Sequence, residues 1–344
     1  VTRRRGLPPL PDRDGIPPAR VRMPVEGRWA TVAAFLRDVT GEPEAVDDRL
    51  STGEVLLDDG TVVDPATPYR PGRAVWLHRD LPEEPAVPGE LVVLHRDDDV
   101  VVVDKPHFLA TMPRGRHVAQ TVVLRLRREL GLPELAPAHR LDRLTAGVLL
   151  LTTRRERRAP YQQLFAAGRV RKTYLAVAPL PPGGVPAEVV SWIVKERGSL
   201  QAREVPGEPN ARTRIELLDH RDGLGLYRLH PLTGRTHQLR VHLASLGAPI
   251  VGDPLYPVVQ DVAPDDFSRP LQLLAESLAF PDPVTGEERV FRTRRRLSLA
   301  PCPPYSLTRT MPSWPTVARS VPSAANIRPM PRPRPPWALG DSWV

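Results

Sequence analysis

The order of apolar segments in this chain predicts an α+β fold: a mixed, largely antiparallel central sheet with flanking helices, preceded by a small α/β module. Three observations lead there. Strand-like runs come in pairs split by tight polar turns, as in LVVLHRDDDVVVVDKP (91–106) and in ARTRIELLDH (211–220) joined through Asp222-Gly223 to GLGLYRLH (223–230). Helical stripes are short and do not alternate with strands as a parallel βαβ array would require. No internal repeat of solenoid period is present.

Residues 1–20 hold several Pro and Arg and too few apolar residues to pack, so a mobile leader is expected. A module follows over 21–80. In WATVAAFLRDVTG, Val32, Phe35 and Leu36 recur at helical spacing and Gly41 is placed to end the helix. Two short strands are expected about Asp59-Gly60, and a third at Ala74–His78. The Pro- and Glu-rich stretch 81–89 reads as a linker.

The larger region, 90–300, opens with two strands split by a charged turn, the second stopped by Pro106. TVVLRLRRELG sets Val122, Val123, Leu126 and Leu130 on one helical stripe and closes with Gly131. Val148–Thr153 is a buried strand, and PYQQLFAAG is a helix with Pro160 at its first position and Gly168 at its end. KTYLAVAPL (172–180) is a strand. THQLRVHLASLG is a helix with Thr236 as N-cap and Leu239, Leu243 and Leu246 inward. Residues 301–344, rich in Pro, Ser and Arg without periodicity, are expected to be disordered or extended.

The charged residues are mostly basic, with a formal net charge of +8 carried by 45 Arg and 3 Lys. Arginine pairs bidentately with phosphate and stacks on bases, which suits a polyanionic partner. Codon bias accounts for arginine over lysine but not for the net excess. The single cysteine, Cys302, excludes a disulfide framework or a cysteine-rich zinc site and makes the cytoplasm the default compartment. No apolar run approaches the roughly 18 residues of a membrane span.

The segment HRLDRLTAGVLLLTT, His139 to Thr153, sets Asp142 among His139, Arg140 and Arg143 just before the buried strand. An aspartate serves as nucleophile or base only where its surroundings keep it ionised and aimed, and neighbouring guanidinium groups favour the ionised form. Taken alone, the string describes a loop cap or salt bridge better than it does a catalytic carboxylate. Two further segments alter that balance: RVRKTYLAVA, with Tyr174 behind Arg169, Arg171 and Lys172, and HPLTGRTHQLRVHLASLGAPIVGDPLYP, with Arg235 and Arg240 about a helix start. Arginines at a helix N-terminus favour phosphates.

Together these segments resemble the RluA-type family of RNA pseudouridine synthases. HRLDRLTAG matches the family's HRLDxxTSG, Lys172-Thr173-Tyr174 matches its K-x-Y, and GRTHQLRVH with GAPIVGDPLY matches its third motif, from Gly234 through Tyr256. VVVVDKPHFLATMP is similar to its strand-DKP lead-in, and the likeness covers residues 90–300. The resemblance implies the pseudouridine synthase fold, an RNA cleft across the sheet, and cleavage of a uridine C1′–N1 bond followed by C5 attachment to C1′, with no cofactor and no metal.

It further implies Asp142 as the catalytic carboxylate, attacking C1′ or removing a proton from C2′. Tyr174 would stack on the base, with its hydroxyl available for proton handling at C5. Arg240 would orient Asp142, and Arg140 would enter the RNA stack in support of a flipped nucleotide. Arg143, Lys172, Arg235 and His237 either line the RNA backbone or cleft wall or are plain surface charge, and His139 is assigned to fixing the loop. The run Arg154, Arg155, Arg157 and Arg158 is either a solvated face or salt-sensitive cleft lining.

Ala146 and Leu274 depart from the family pattern, which has Ser and His there, and Pro257 stands where Gly is common. The 21–80 module resembles the RNA-binding domain named after ribosomal small-subunit protein four, through DDRLSTGEVLLDDGTVV and YRPGRAVWL, with Arg73 in place of the usual acid. It either binds RNA or is an accessory module.

The expected partner is rRNA or tRNA, with rRNA first, and the expected state is a monomer without membrane attachment. Two rivals are an inactive RNA-binding protein using the same cleft and a zinc hydrolase on His237 and His242. The two histidines stand about 140° apart on a helix, unlike zinc ligands sharing one face.

Overall fold

A computed structural model describes residues 8–13, 16–78, 83–113 and 117–298. The expectations for the tail 301–344, Cys302, and parts of the leader and linker lie outside the described residues. Contacts separate the chain into two compact units, one holding Pro17–Arg79 and the other Asp80–Pro303.

The first unit comprises β1 (Ala19–Arg22), α1 (Val32–Thr40), α2 (Pro43–Ser51), β2 (Leu56–Leu57) and β3 (Ala74–Leu77), its antiparallel sheet ordered β1-β3-β2. In α1 the Thr31 hydroxyl accepts from Ala34 N at 3.1 Å, and Gly41 ends the helix at φ 69°. α2 escapes the sequence reading because Val46 and Leu50, one turn apart in a charged stretch, are its only buried apolar residues. The leader is shorter than expected, since β1 opens at Ala19 by pairing with Leu77, and Arg13 pairs with Glu54 at 2.6 Å. Arg73 donates to both Asp58 and Asp59 at 2.7 Å, tying the strand that follows to the Asp59-Gly60 turn.

The second unit runs β4 (Val92–Arg96), β5 (Val100–Lys105), α3 (Val122–Leu130), β6 (Ala136–Pro137), β7 (Ala146–Thr152), α4 (Arg155–Ala166), β8 (Arg171–Pro179), β9 (Glu188–Val194), β10 (Arg203–Val205), β11 (Ala211–Arg221), β12 (Leu224–Pro231), α5 (Gln238–Ser245), β13 (Leu273–Pro281) and β14 (Glu288–Arg292). Its sheet is ordered β10-β9-β11-β12-β8-β13-β7-β5-β4, with β14 on β13 and β6 on β7. Every pairing is antiparallel except that of β13 with β7. The fold is thus α+β with a large mixed sheet.

The continuous apolar runs of β5 and β7 are explained by burial on both faces. Val101, Val103, Leu149 and Leu151 meet Val122, Val123 and Leu126 of α3, while Val100, Val102, Val148 and Leu150 meet Tyr161 and Leu164 of α4. Leu239 and Leu243 of α5 pack with Ala176, Ala178, Tyr227 and Leu229 of β8 and β12. Tyr174 lies against both the α3 and the α5 clusters. No described helix is long and apolar enough to cross a membrane.

Two helix starts differ from expectation. α4 begins at Arg155 with Pro160 inside it, because Arg154 and Arg157 hold the preceding turn to Asp99 at 3.0 and 2.7 Å, and Arg158 donates to Glu134 O at 2.7 Å. Those three arginines therefore already bind the protein. The N-cap of α5 is His237, not Thr236.

β13 meets β7 at two positions, Leu274 opposite Ala146 and Ala275 opposite Gly147. Two of the departures from the family pattern, Ala146 and Leu274, thus face each other, and both side chains join one buried apolar cluster. Gly147 has φ +109°, and a Cβ there would lie 2.2 Å from Ala275 O and 2.7 Å from Ala275 N. Gly147→Ala is expected to cost roughly 3 kcal/mol or more from strain and overpacking, read as a lowered Tm.

Candidate active site

The loop before β7 is fixed through four successive carbonyls. Leu141 O accepts from Thr111 Oγ1 at 2.8 Å, Asp142 O from Thr145 N at 3.1 Å, Arg143 O from Lys105 Nζ at 3.2 Å, and Leu144 O faces His107 Nδ1 at 2.8 Å. Lys105 is fully buried and also donates to Pro106 O and Leu109 O, at 3.0 and 2.8 Å. Burial draws its ammonium down to about 7, with the Asp142 carboxylate opposing. His139 accepts from Leu150 N at 3.2 Å and stacks on Phe165, and burial lowers it to about 3, so it is a neutral brace of the loop. With the backbone held this way, the Asp142 side chain projects from a rigid frame, about a third exposed.

Arg240 reaches that side chain from α5. Its Nε and Nη2 donate to Asp253 Oδ2 and Oδ1 at 2.7 and 2.6 Å, and its Nη1 donates to Asp142 Oδ2 at 3.3 Å. The bidentate bond to Asp253 fixes the plane of the guanidinium, so the third nitrogen meets Asp142 at a set angle. Asp253 Oδ1 accepts in turn from Leu255 N and Tyr256 N at 2.9 and 3.2 Å. Burial alone would lower the guanidinium, but Asp253 and then Asp142 more than offset it, so Arg240 is held charged.

Tyr174 projects from β8 between the two core clusters, and burial, with Asp142 adding, raises its phenol. It stays protonated at neutral pH and offers a ring face and a donor, not a phenolate. Gln238 fixes the turn before α5: its Oε1 accepts from Arg235 N at 3.0 Å and Thr233 Oγ1 at 2.7 Å, and its Nε2 donates to Arg212 O and Thr213 Oγ1 at 3.0 and 2.9 Å. Every bonding position of that amide is directed at holding the turn.

The structure sorts the cations named from the sequence. Arg140 is exposed beside Asp142, and Arg143 lies with its guanidinium carbon 6.0 Å from the Phe108 ring centre. Arg235 is exposed, with Nε on Asn210 O at 3.0 Å. Lys172 donates to Thr233 O at 3.2 Å, and burial lowers its ammonium. His237 turns toward Asp142, with Nε2 3.9 Å from Oδ2. His242 is directed elsewhere, onto Thr213 Oγ1 at 2.9 Å and Ser191 Oγ at 3.1 Å.

A family model described as RNA pseudouridylate synthase matches residues 99–245. An uncharacterised RNA pseudouridine synthase of Synechocystis is 34% identical over 224 residues, which is 64% of this chain and 76% of that protein. The dual-specificity RNA pseudouridine synthase RluA of Haemophilus ducreyi is 32% identical over 209 residues, 58% of this chain and 91% of its own. The chain belongs to the RluA-type RNA pseudouridine synthases. The mitochondrial tRNA pseudouridine(32) synthase of Saccharomyces cerevisiae is 31% identical over 62% of this chain and 47% of its own.

In this pseudouridine synthase the sequence motifs hold the residues brought together here, while of the parts that support them only His139 was assigned a role from sequence. Asp253 stood inside the GAPIVGDPLY match, yet only the structure shows it gripping Arg240. Thr111 and His107 lie inside the segment matched to the DKP lead-in but carry no signal of their own role, because their work is done on carbonyls some 30 residues away or more.

Proposed function

We propose that this synthase isomerises specific uridines in structured RNA, rRNA before tRNA, with Asp142 as the carboxylate that attacks C1′ or takes the C2′ proton. The observation that carries the reading is the placement of Asp142 Oδ2 on a guanidinium that is itself locked by buried Asp253. Such an arrangement aims a charged oxygen at a reacting atom, and a groove made only for phosphate gains nothing from a carboxylate.

Tyr174 then takes the face of the uracil, and Arg140 fills the space the flipped nucleotide leaves in its stack. Opening that stack costs a few kcal/mol, which base stacking on the ring and phosphate contacts offset. Arg143, Lys172 and Arg235 are assigned to the RNA backbone and the cleft wall. The 21–80 module is assigned to RNA as a second contact, supported by its likeness to a small RNA-binding domain, and the cytoplasm is the assigned compartment.

Pseudouridine mapping of total RNA from cells with and without the gene tests this reading. Loss of one or a few sites, restored by the purified protein on the unmodified transcript, is the expected result. Identical maps together with an inert purified protein would overturn it, and sites confined to tRNA would overturn the rRNA assignment alone.

A further inference from the structure

From sequence His237 is either cleft wall or plain surface charge, but its surroundings tell a different story. The residue sits at the N-cap of α5 in the left-handed region, φ 57° and ψ 17°. A residue with a Cβ adopts that conformation only under constraint, so the backbone here is held against its preference. The turn is fixed on one side by Gln238 and on the other by Tyr256, whose hydroxyl lies 2.9 Å from His237 Nδ1 with the two rings perpendicular. Tyr256 is in turn anchored to Ala202, accepting from its N at 2.7 Å and donating to its O at 3.0 Å. The imidazole is therefore locked in orientation and only slightly exposed, with Nε2 3.9 Å from Asp142 Oδ2.

Arg240 and His237 thus address the same carboxylate oxygen, Oδ2, from two sides, and neither contact uses Oδ1. Clamping one oxygen of a carboxylate while leaving the second for chemistry is what a general base or nucleophile needs. The negative carboxylate favours the tautomer with hydrogen on Nε2, and in that form Tyr256 donates to Nδ1 only by turning its single hydroxyl hydrogen away from Ala202 O. At 3.9 Å the contact is electrostatic, and a shift of under about 1 Å makes it a hydrogen bond; catalytic contacts are commonly this loose before substrate closes the site.

The charged and titratable groups around the ring come from every neighbouring element. They are Asp142 on the loop before β7, Arg240 on α5, Asp253 and Tyr256 on the loop after it, and Lys195 at the end of β9. Burial, the largest influence, lowers the imidazole from 6.5, Asp142 and Asp253 oppose, and Arg240 and Lys195 add to the lowering. Above that lowered value the ring is neutral. As pH falls through it, a second cation forms against Oδ2, and the carboxylate becomes a poorer base and nucleophile.

We propose that His237 is a positioning residue for Asp142, holding its Oδ2 opposite Arg240 while neutral, and that its protonation sets the acid edge of catalysis. The proposal rests on the assignment of Asp142 as the reacting carboxylate. His237→Asn is the informative variant, because asparagine tolerates the left-handed backbone and does not titrate.

With a target transcript, H237N is expected to lower kcat about tenfold to a hundredfold with KM for RNA unchanged, and to lose the wild-type step in kcat that lies below pH 6.5. A raised KM with the acid step intact would return His237 to the cleft wall and overturn the proposal. An unchanged melting temperature for H237N separates positioning from folding, and if H237N fails to fold, the second arm decides.

That arm needs no turnover: NMR titration of the His237 imidazole in wild type and in D142N. Loss of the carboxylate charge is expected to move the His237 midpoint downward. An unmoved midpoint would overturn the proposal. A moved midpoint in a protein that forms no pseudouridine would sink the functional reading while keeping the coupling of these two side chains.

Discussion

Asp142→Asn is expected to abolish pseudouridine formation, by a factor on the order of 10⁴, while leaving the fold and RNA binding intact. The amide keeps the shape of the carboxylate and its oxygen can still accept from Arg240 Nη1, so the loop has no reason to move. The four carbonyl contacts that fix the loop are all made by its backbone, through Thr111, Thr145, Lys105 and His107, and none depends on the Asp142 side chain. What is lost is the charge: an amide neither attacks C1′ nor takes a proton from C2′. RNA affinity should hold or rise, since a negative group leaves a basic cleft. The measurements are tritium release from C5-labelled uridine in RNA and a filter-binding isotherm at fixed salt. Turnover within tenfold of wild type would remove Asp142 from the chemistry.

Arg240→Met is expected to be the most damaging substitution in the protein by two separable routes. Asp253 is fully buried, and without the guanidinium its carboxylate keeps only the Leu255 and Tyr256 amides. Breaking one half of a buried pair costs about 3–5 kcal/mol, because a charge is left uncompensated in a poorly polar site. Independently, Asp142 Oδ2 loses its fixed donor.

The double variant R240M/D253L tells the two effects apart. Removing both members of a buried ion pair is commonly close to neutral, so the melting temperature should recover most of the loss while activity does not. Recovery of both would reduce Arg240 to a structural strut. Failure of stability to recover would show that Asp253 has a further role in the loop that carries Tyr256.

Much of this architecture was legible before any coordinates. The four valines of β5 and the run Val148–Leu151 announced strands, and their lack of alternation follows from packing against α3 on one face and α4 on the other. Gly41 and Gly131 marked the ends of their helices, and the structure adds Thr31 and Thr121 as the N-caps. Reading failed where a distant partner overrode a local cue. Pro160 was a plausible first helical residue until Asp99 gathered Arg154 and Arg157 and started the helix earlier. Thr236 was a plausible cap until Tyr256 and Gln238 drew His237 into the left-handed region instead.

The centre divides in the same way. Asp142 and Arg240 stand in long motifs and Tyr174 in the short K-x-Y, and the structure brings Asp142 and Arg240 within 3.3 Å across 98 residues of chain. Lys105, Thr111 and His107 act on carbonyls of the Asp142 loop far from them in sequence, and a backbone carbonyl leaves no mark on the residue types that serve it, whereas Asp253 grips a side chain on the preceding helix.

The placement of β13 has a consequence for how this protein is made. In space it lies between β8 and β7, yet it is formed from residues 273–281, after every strand it joins except β14. Asp142 precedes β7 on one side of it, and Tyr174 and Arg240 belong to the other. During synthesis the two halves of the sheet can each assemble early, but the seam between them waits for a segment that leaves the ribosome late. Until then the strand that sets β7 beside β8 is missing, so a nascent chain stalled before residue 273 carries the three sequence motifs without the segment that fixes the spacing of their strands.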